Sequence, residues 1–255
     1  MTRPQQDAAS WVGELQVAGF SAASFPLLEL SELMTAQDAD QALAQVLQSQ
    51  VVMFVSANAV RFLASAMDNK SAWLAHFKHA ARAWCTGPGT AAALLACGIP
   101  ASQIDQPPAH AAQLDSEALW EVVSPQVSAG MHVLFVRGAN QSGAVVGRDW
   151  LTQQLDGKNA QVQAIAAYRR VPANLSAGQL AQVDDFIAQG AIWLFSSSAA
   201  IESLAAQCPN IDWATVKAVV THPRMAQMLE IWGCRQLSIA SPGIPAMLSS
   251  IKSLA

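Results

Sequence analysis

The sequence predicts an α/β fold made of two similar lobes, each a mostly parallel sheet flanked by helices. Three observations predict it: the composition, an alternation of strand-like and helix-like segments, and an internal repeat. Of the 255 residues, 52% are hydrophobic and only 13% are charged, whereas about 25% are charged in an average domain. So little charge suits a sheet that helices cover on both faces. At about 150 residues per domain, the length allows one large domain or two modest ones.

The internal repeat consists of two strand–turn–helix units. Residues 51–60 (VVMFVSANAV) match residues 191–200 (AIWLFSSSAA), each with five apolar residues, a polar turn and a helix-forming run. Residues 83–91 match residues 218–226, and a helical stretch follows each of them. In both pairs, the second segment follows the first after a nearly equal length of chain. We therefore expect two homologous α/β lobes.

The remaining segments complete the alternation. A helical pattern over Trp11, Leu15, Val17 and Ala18 ends at Gly19, and a strand with an early proline is expected at 24–30. Strand patterns at 131–136 and 162–168 flank a helix that we expect from about Gly147 to Leu155. Prolines near 28–32 and 167–171 mark two places where the chain could pass between lobes. We therefore predict lobe 1 from residues 1–28 and 170–255, and lobe 2 from residues 32–167.

Polar side chains follow the predicted strands of the repeat. Parallel sheets bind ligands at the carboxyl ends of their strands, where helix N-termini present free N–H groups. Hydroxyl and amide groups at this edge could bind an anion, or they could simply cap the helices. The candidates are Ser56, Asn58, Thr86, Thr90, Ser196, Ser197 and Thr221.

Four further residues stand out at strand ends. Tyr168 is the sole tyrosine of the chain and ends an apolar strand. Its phenol could donate a proton to a leaving oxygen or a carboxylate, or its hydroxyl could simply lie in water. Arg3, Arg137 and Arg224 lie at similar positions. They could form an anion receptor, or they could be ordinary surface charges.

The sequence also argues against several classes of partner. A formal net charge of −4 and the absence of Lys/Arg runs disfavour nucleic acid and anionic membranes. No apolar segment reaches the ~20 residues that cross a bilayer, and the N-terminal segment lacks the pattern of a leader peptide, so we expect a cytoplasmic protein. No phosphate-binding loop motif occurs. The four cysteines are too scattered to suggest a metal site. The expected ligand is a small molecule.

Seven motifs resemble the uroporphyrinogen-III synthase family in their order and spacing. They are TRP at 2–4, PLLEL at 26–30, FVSANAV at 54–60, GPGTA at 87–91, VRG at 136–138, YRR at 168–170 and FSSSA at 195–199. The resemblance covers nearly the whole chain. It implies two lobes joined by a two-stranded linker with a cleft between them, a monomer, and no metal or organic cofactor.

The resemblance also implies an activity. It is the cyclisation of hydroxymethylbilane, an open tetrapyrrole rich in carboxylates, to uroporphyrinogen III, with loss of water and inversion of ring D through a spiro intermediate. By position, Tyr168 matches the tyrosine proposed to assist departure of the hydroxyl group. The turns match residues that meet the carboxylates of the substrate, and this adds Gly87, Gly138 and His222 to the predicted substrate-binding set.

One motif departs from the family pattern. The usual G-P-x-T-A turn of the second lobe reads His222-Pro223-Arg224-Met225-Ala226, so His222 and Arg224 could bring charge to the carboxylates instead. The alternative hypothesis is a non-catalytic two-lobed protein that binds or senses a small molecule, because paired α/β lobes also form hinged receptors.

Overall fold

The computed structural model describes residues 1–67, 70–108, 111, 113–145, 150–241 and 243–254. The chain divides into two compact units. We call Ser31–Arg170 the continuous unit, and Met1–Leu30 with Val171–Ala255 the split unit. Strands and helices alternate along the chain, which confirms the predicted α/β class.

The strands, in chain order, are β1 (Leu28–Glu32), β2 (Val51–Phe54), β3 (Arg82–Cys85), β4 (Ile104–Asp105), β5 (His132–Ala139), β6 (Gln161–Pro172), β7 (Ile192–Phe195), β8 (Lys217–Val220) and β9 (Gln236–Ile239). The helices are α1 (Gln5–Val17), α2 (Ala36–Gln48), α3 (Ala57–Ala66), α4 (Lys70–His79), α5 (Pro88–Ala96), α6 (Ser116–Val123), α7 (Trp150–Gly157), α8 (Ala177–Ala188), α9 (Ser198–Gln207), α10 (Pro223–Ile231) and α11 (Ile244–Leu254). Short 3-10 turns occur at Ala101–Gln103, Ser124–Gln126 and Trp213–Thr215.

The larger sheet has the strand order β1-β6-β5-β2-β3-β4. The pairs from β6 across to β4 are parallel. In the register, Phe54 at the end of β2 lies opposite both Cys85 and Val136. The segments that follow these three residues therefore leave the sheet at the same edge.

The smaller sheet has the parallel order β7-β8-β9 and lies in the split unit. Phe195 lies opposite Val220. The first residues of the chain run beside β7, because the Thr2 N–H and the Thr2 hydroxyl both donate to the Leu194 carbonyl, at 3.2 and 2.8 Å. This pairing brings Arg3 to the carboxyl end of β7.

The strands of the repeat are short, and apart from Arg82 and Lys217 at the starts of β3 and β8 they are apolar, because helices cover both of their faces. All four residues of β2 are buried, and three of the four are buried in each of β3, β7 and β8. Such strands are continuous apolar runs rather than alternating ones. Each is followed by a polar turn and a helix, as the internal repeat predicts: α3 after β2, α5 after β3, α9 after β7 and α10 after β8.

Glycine ends two of these helices where the repeat predicts their ends. Gly98 after α5 and Gly233 after α10 have φ of +93° and +100°. This left-handed conformation follows a helix C-terminus readily only when the residue has no Cβ.

Several predicted boundaries differ from the structure. The strand expected at 24–30 begins only at Leu28, because the N–H groups of Phe25 and Leu27 donate instead to the carbonyls of Met1 and Thr2. The strands expected at 131–136 and 162–168 continue to Ala139 and Pro172, because their backbone pairing outlasts the apolar pattern. The helix expected from Gly147 begins at Trp150 within the described residues, and Gly147 itself lies outside them.

Two residues of the helical pattern predicted at 11–18 lie away from the core. Val17 is 92% exposed and Ala18 is exposed as well, while Leu15 is buried. Two residues along a helix correspond to about 200° of rotation, which turns Val17 away from the core. In the parts of the chain that the structure describes, no helix has the length and apolarity needed to cross a membrane.

Candidate active site

The carboxyl edge of the larger sheet gathers the predicted site residues of the continuous unit. Parallel pairing places the ends of β2, β3 and β5 at this edge, and β6 continues the series beside β5. The predicted residues on these strand ends and the turns after them are Ser56, Asn58, Thr86, Gly87, Thr90, Arg137, Gly138 and Tyr168.

Tyr168 has a fixed position at this edge. Its side chain is only 3% exposed, and its hydroxyl lies 3.1 Å from the hydroxyl oxygen of Ser56. Its ring stacks on Phe62 of α3, with 5.3 Å between ring centroids and 21° between the planes. Tyr168 thus links β6 to the first turns of α3.

A β-bulge brings Tyr168 opposite Gly138. Arg137 pairs with Ala166, but the next residue, Gly138, pairs with Tyr168, so Ala167 is the extra residue. Bulges of this kind redirect side chains next to functional sites. A Cβ on Gly138 would lie 2.7 Å from Cζ and 3.0 Å from the hydroxyl oxygen of Tyr168. Only glycine leaves room for the ring in this position.

Two helices begin at this edge, and their N-termini differ. The Ser56 hydroxyl caps α3 by accepting the Ala59 N–H at 3.1 Å. The N-cap of α5 is Gly87, which offers no side chain. Pro88 has no N–H group and the Thr90 N–H donates to the Gly87 carbonyl at 3.1 Å, so the Gly89 N–H is the donor that the first turn can offer to another acceptor. Asn58 is buried, and its Oδ1 accepts a hydrogen bond from Arg61 at 2.7 Å.

Cys85 and Arg137 are two further buried residues near these turns. Burial raises the pKa of the Cys85 thiol to about 11, a hydrogen bond from Gly87 acts in the opposite direction, and the charge of Asp105 raises it further. The thiol is therefore neutral at physiological pH and is a poor nucleophile. Arg137 is 6% exposed, and its guanidinium lies over the Phe135 ring at 4.5 Å.

In the split unit, the remaining predicted residues lie at the carboxyl edge of the smaller sheet. Ser197 is the N-cap of α9 but makes no side-chain capping bond, whereas His222 caps α10 by accepting the Arg224 N–H on Nδ1 at 3.1 Å. Ser196 and Thr221 are half-buried at the ends of β7 and β8.

The two arginines of this edge have different surroundings. Arg3 lies over the Trp11 ring at 4.4 Å. Burial lowers the pKa of its guanidinium, and the nearby Asp7 opposes that shift. Arg224 is exposed. Arg3 therefore lies at the end of β7, the strand that leads into the uncapped helix α9, whereas Arg224 lies in the first turn of α10, which His222 caps.

Comparison with known proteins assigns the family. The sequence model described as uroporphyrinogen-III synthase HemD matches residues 9–249, which is nearly the whole chain. The chain belongs to the uroporphyrinogen-III synthase family. Its members are cyclising hydro-lyases of heme biosynthesis, and this chain converts hydroxymethylbilane to uroporphyrinogen III with loss of water. No comparison favours the alternative of a non-catalytic binding protein.

Solved structures of synthases share the fold. A mutant uroporphyrinogen III synthase from Thermus thermophilus is similar with a TM-score of 0.59 at 15% identity, over 100% of this chain and 98% of that one. A uroporphyrinogen-III synthetase from Helicobacter pylori has a TM-score of 0.62 at 16% identity, over 92% of this chain and 94% of that one. At such identities the likeness shows the fold: a parallel sheet flanked by helices with a second parallel sheet.

Within this synthase, sequence reasoning missed two residues that shape the site. Phe62 holds the Tyr168 ring, and Arg61 engages Asn58. They are the two residues that directly follow the repeated motif at 51–60, on the helix that the motif predicts, so extending the motif along that helix would have included them. No three His, Cys, Asp or Glu side chains are close enough to hold a metal ion among the residues described.

Proposed function

We propose that Tyr168 is the proton donor to the leaving hydroxyl group of hydroxymethylbilane. The observation that supports this most directly is the fixed phenol at the carboxyl edge of the larger sheet, 3.1 Å from Ser56. The edge also carries the uncapped N-terminus of α5, which suits the carboxylates of the substrate. A proton donor beside an anion-binding edge is what a carboxylate-rich substrate with a hydroxyl leaving group needs.

The chemistry draws mainly on the substrate. The lone pair of a pyrrole nitrogen supplies the electrons that break the C–O bond of the hydroxymethyl group on ring A. The hydroxyl takes the Tyr168 proton and leaves as water. The substituted carbon of ring D then attacks the azafulvene to give a spiro intermediate, which fragments and closes again with ring D inverted. The proton that ring D loses when its pyrrole becomes aromatic again restores the phenol, so protons balance.

Backbone N–H groups and a few cations are proposed to hold the carboxylates. The first turns of α5 and α9 lack side-chain caps, so N–H groups such as those of Gly89 and Ser198 can donate to an anion at the positive end of a helix dipole. The rest of the proposed substrate-binding set is Arg3, Asn58, Thr86, Gly87, Thr90, Arg137, Gly138, Ser196, Ser197, Thr221, His222 and Arg224. Binding by N–H groups fits a chain whose net charge is −4.

We further propose that the protein acts as a cytoplasmic monomer, with residues 1–28 and 170–255 as one lobe and 32–167 as the other. The absence of basic runs and the net charge of −4 support a small-molecule enzyme without a nucleic-acid partner. Light scattering after size-exclusion chromatography measures the mass: a single species near the 26.9 kDa of one chain is expected, and a dimer mass would contradict the proposal.

The test of catalysis uses freshly generated hydroxymethylbilane, with the oxidised porphyrin isomers separated by chromatography. Wild-type protein should give mainly isomer III, whereas the buffer blank gives the symmetric isomer. Tyr168→Phe keeps the ring and removes only the hydroxyl, so it should lower kcat by about ten- to a thousandfold without loss of folded protein. An unchanged kcat would leave Tyr168 as a packing residue.

Carboxylate binding is tested by removing a charge. Arg224→Ala should raise KM with kcat little changed, because Arg224 is exposed at the carboxyl end of the smaller sheet. The control is Arg235→Ala, which removes another exposed charge just before β9, at the opposite edge of that sheet. Equal KM values for the two variants would refute a carboxylate contact at Arg224.

A further inference from the structure

We propose that Ser56 acts through Tyr168, as a positioning residue that donates its hydroxyl proton to the phenol oxygen when Tyr168 gives up its own. This inference rests on the proposed role of Tyr168. It gives Ser56 a role different from the substrate contact expected from its place in the turn. The inference is based on three groups that are hydrogen-bonded in series: the Ala59 N–H, the Ser56 hydroxyl and the Tyr168 hydroxyl. Ser56 Oγ lies 3.1 Å from the Ala59 nitrogen and 3.1 Å from the Tyr168 hydroxyl oxygen.

The Ser56 and Tyr168 hydroxyls together have enough protons to bond with each other and also to donate to the substrate. A serine hydroxyl has one proton to donate and two lone pairs that accept. The Ala59 N–H occupies one lone pair of Ser56. Across the described part of the chain, the Tyr168 hydroxyl is the other polar group within hydrogen-bond distance of Ser56 Oγ. The two hydroxyls share one hydrogen bond but have two protons, so one proton stays available for the substrate.

Once Tyr168 has lost its proton, the hydrogen bond between the two oxygens must be formed by the Ser56 proton. The phenol oxygen then carries negative charge on a side chain that is only 3% exposed, and buried charge is unfavourable unless it is hydrogen-bonded. The Ser56 O–H can turn to donate to that oxygen. The Ala59 N–H behind it belongs to the first turn of α3, where the helix dipole favours negative charge.

The packing keeps the phenol oxygen within reach of Ser56. The Phe62 ring stacks on one face of Tyr168, and the backbone of Gly138 contacts the ring where any side chain would collide with it. A phenol held in this way cannot turn elsewhere for a donor when it loses its proton. Ser56 is thus the partner that the fold provides for the developing phenolate.

The test compares Ser56→Ala, Ser56→Gly and Ser56→Thr. Ser56→Ala should lower kcat by about ten- to a hundredfold with KM nearly unchanged. This loss of kcat is somewhat smaller than the loss caused by removing a donor that contacts the reacting oxygen itself. Ser56→Gly removes the same hydroxyl but leaves a residue that is tolerated at an N-cap, so it should lower kcat equally if the alanine variant folds poorly. Ser56→Thr keeps the hydroxyl and should restore kcat to within a few-fold.

Ser176→Ala is the matched control, because Ser176 caps α8 in the same way by accepting the Gln179 N–H. It removes an N-cap hydroxyl far along the chain and should leave kcat unchanged. A loss of kcat in Ser176→Ala as large as in Ser56→Ala would show that loss of a helix cap alone lowers the activity, and this would overturn the inference.

A double variant separates this inference from the proposed function. In the Tyr168→Phe background, Ser56→Ala should cause no further loss, because its effect passes through the phenol. An equal loss in both backgrounds, or a rise in KM with kcat unchanged, would assign Ser56 to direct substrate contact and overturn the inference. If Tyr168→Phe itself keeps full kcat, the proposed function of Tyr168 fails first.

A spectroscopic readout tests the hydrogen bond itself. The chain has one tyrosine, so the tyrosine doublet in its Raman spectrum reports on Tyr168 alone. The ratio of the two bands depends on whether the phenol oxygen accepts or donates a hydrogen bond. Ser56→Ala should shift the ratio away from the accepting form, and Ser56→Thr should keep the wild-type ratio. An identical doublet in wild type and Ser56→Ala would refute donation by Ser56.

Discussion

Replacing Gly138 by alanine should displace the phenol of Tyr168 and thereby lower the activity. The added Cβ would lie 2.7 Å from Cζ, 2.9 Å from Cε2 and 3.0 Å from the hydroxyl oxygen of Tyr168, whereas ordinary contacts are 3.4–4 Å. The ring would have to retreat by about 1 Å, since a contact of about 3.7 Å is comfortable. Phe62 stacks on the same ring, and it limits this movement.

The expected size of the effect follows from that displacement. Overpacking a well-filled site lowers the free energy of unfolding by about 1–3 kcal/mol, and a 1 Å misplacement of a reacting group can reduce the rate by about a hundredfold. We therefore expect Gly138→Ala to lose about ten- to a hundredfold in kcat while the protein remains folded. Measurement requires isomer III formation from hydroxymethylbilane at several substrate concentrations, with urea unfolding in parallel.

Gly157→Ala is the control for this experiment. It lies in the same unit, and its added Cβ would meet nothing within 4 Å. It should change neither kcat nor the unfolding midpoint appreciably. If Gly138→Ala lowers stability but retains full kcat per folded molecule, the close approach serves packing only, and the reasoning that links Gly138 to catalysis is refuted.

Three further predictions concern stability and reactivity. Arg82 donates through Nε and Nη2 to the buried Asp105 carboxylate at 2.5 and 2.6 Å. Arg82→Met leaves this carboxylate without its partner, so it should lower the free energy of unfolding, measured in urea, by about 1–3 kcal/mol. Replacing Asp105 by leucine as well should recover part of the loss, and no recovery would contradict a desolvated carboxylate as the cause. Because burial raises the pKa of Cys85 to about 11, iodoacetamide at pH 8 should leave Cys85 unmodified in the native protein and modify it in urea, as peptide mass spectrometry can show; native labelling would contradict its burial. Thr35→Ala removes the capping box that Thr35 forms with Asp38 at the start of α2, so it should lower the free energy of unfolding by about 0.5–2 kcal/mol, whereas Thr35→Ser should match wild type.

Local signals were enough to predict the central strands. The runs at 51–55 and 191–195 are short, apolar and followed by hydroxyl-bearing turns, which is how a buried parallel strand and the next helix cap appear in a sequence. The structure places β2 and β7 there. The same reasoning did not find β9, because Gln236–Ile239 is an edge strand whose residues are half-buried or exposed and lack a continuous apolar run.

The contacts of Tyr168 could not be predicted, although the residue itself was singled out. Ser56 lies 112 positions away from Tyr168 along the sequence. The two residues come together because the strand order places β6 and β2 on either side of β5. The bulge between Arg137 and Gly138 then selects which residue of β6 lies opposite Gly138. Strand order and a single-residue shift depend on tertiary packing, and the sequence carries no periodic signal for either.

The split unit has a consequence for how the protein is synthesised. The Thr2 hydroxyl donates to the Leu194 carbonyl, and β7, β8 and β9 all follow Val171. Ribosomes add about 5–20 residues per second. The first partner strand, β7, begins only at Ile192, so the segment that ends at Leu30 waits for roughly 8–32 seconds before its partner strands begin to be synthesised. During that interval the apolar side chains of Leu15, Phe25 and Leu27, buried in the finished protein, are exposed on the nascent chain, and they are a natural place for a chaperone to bind.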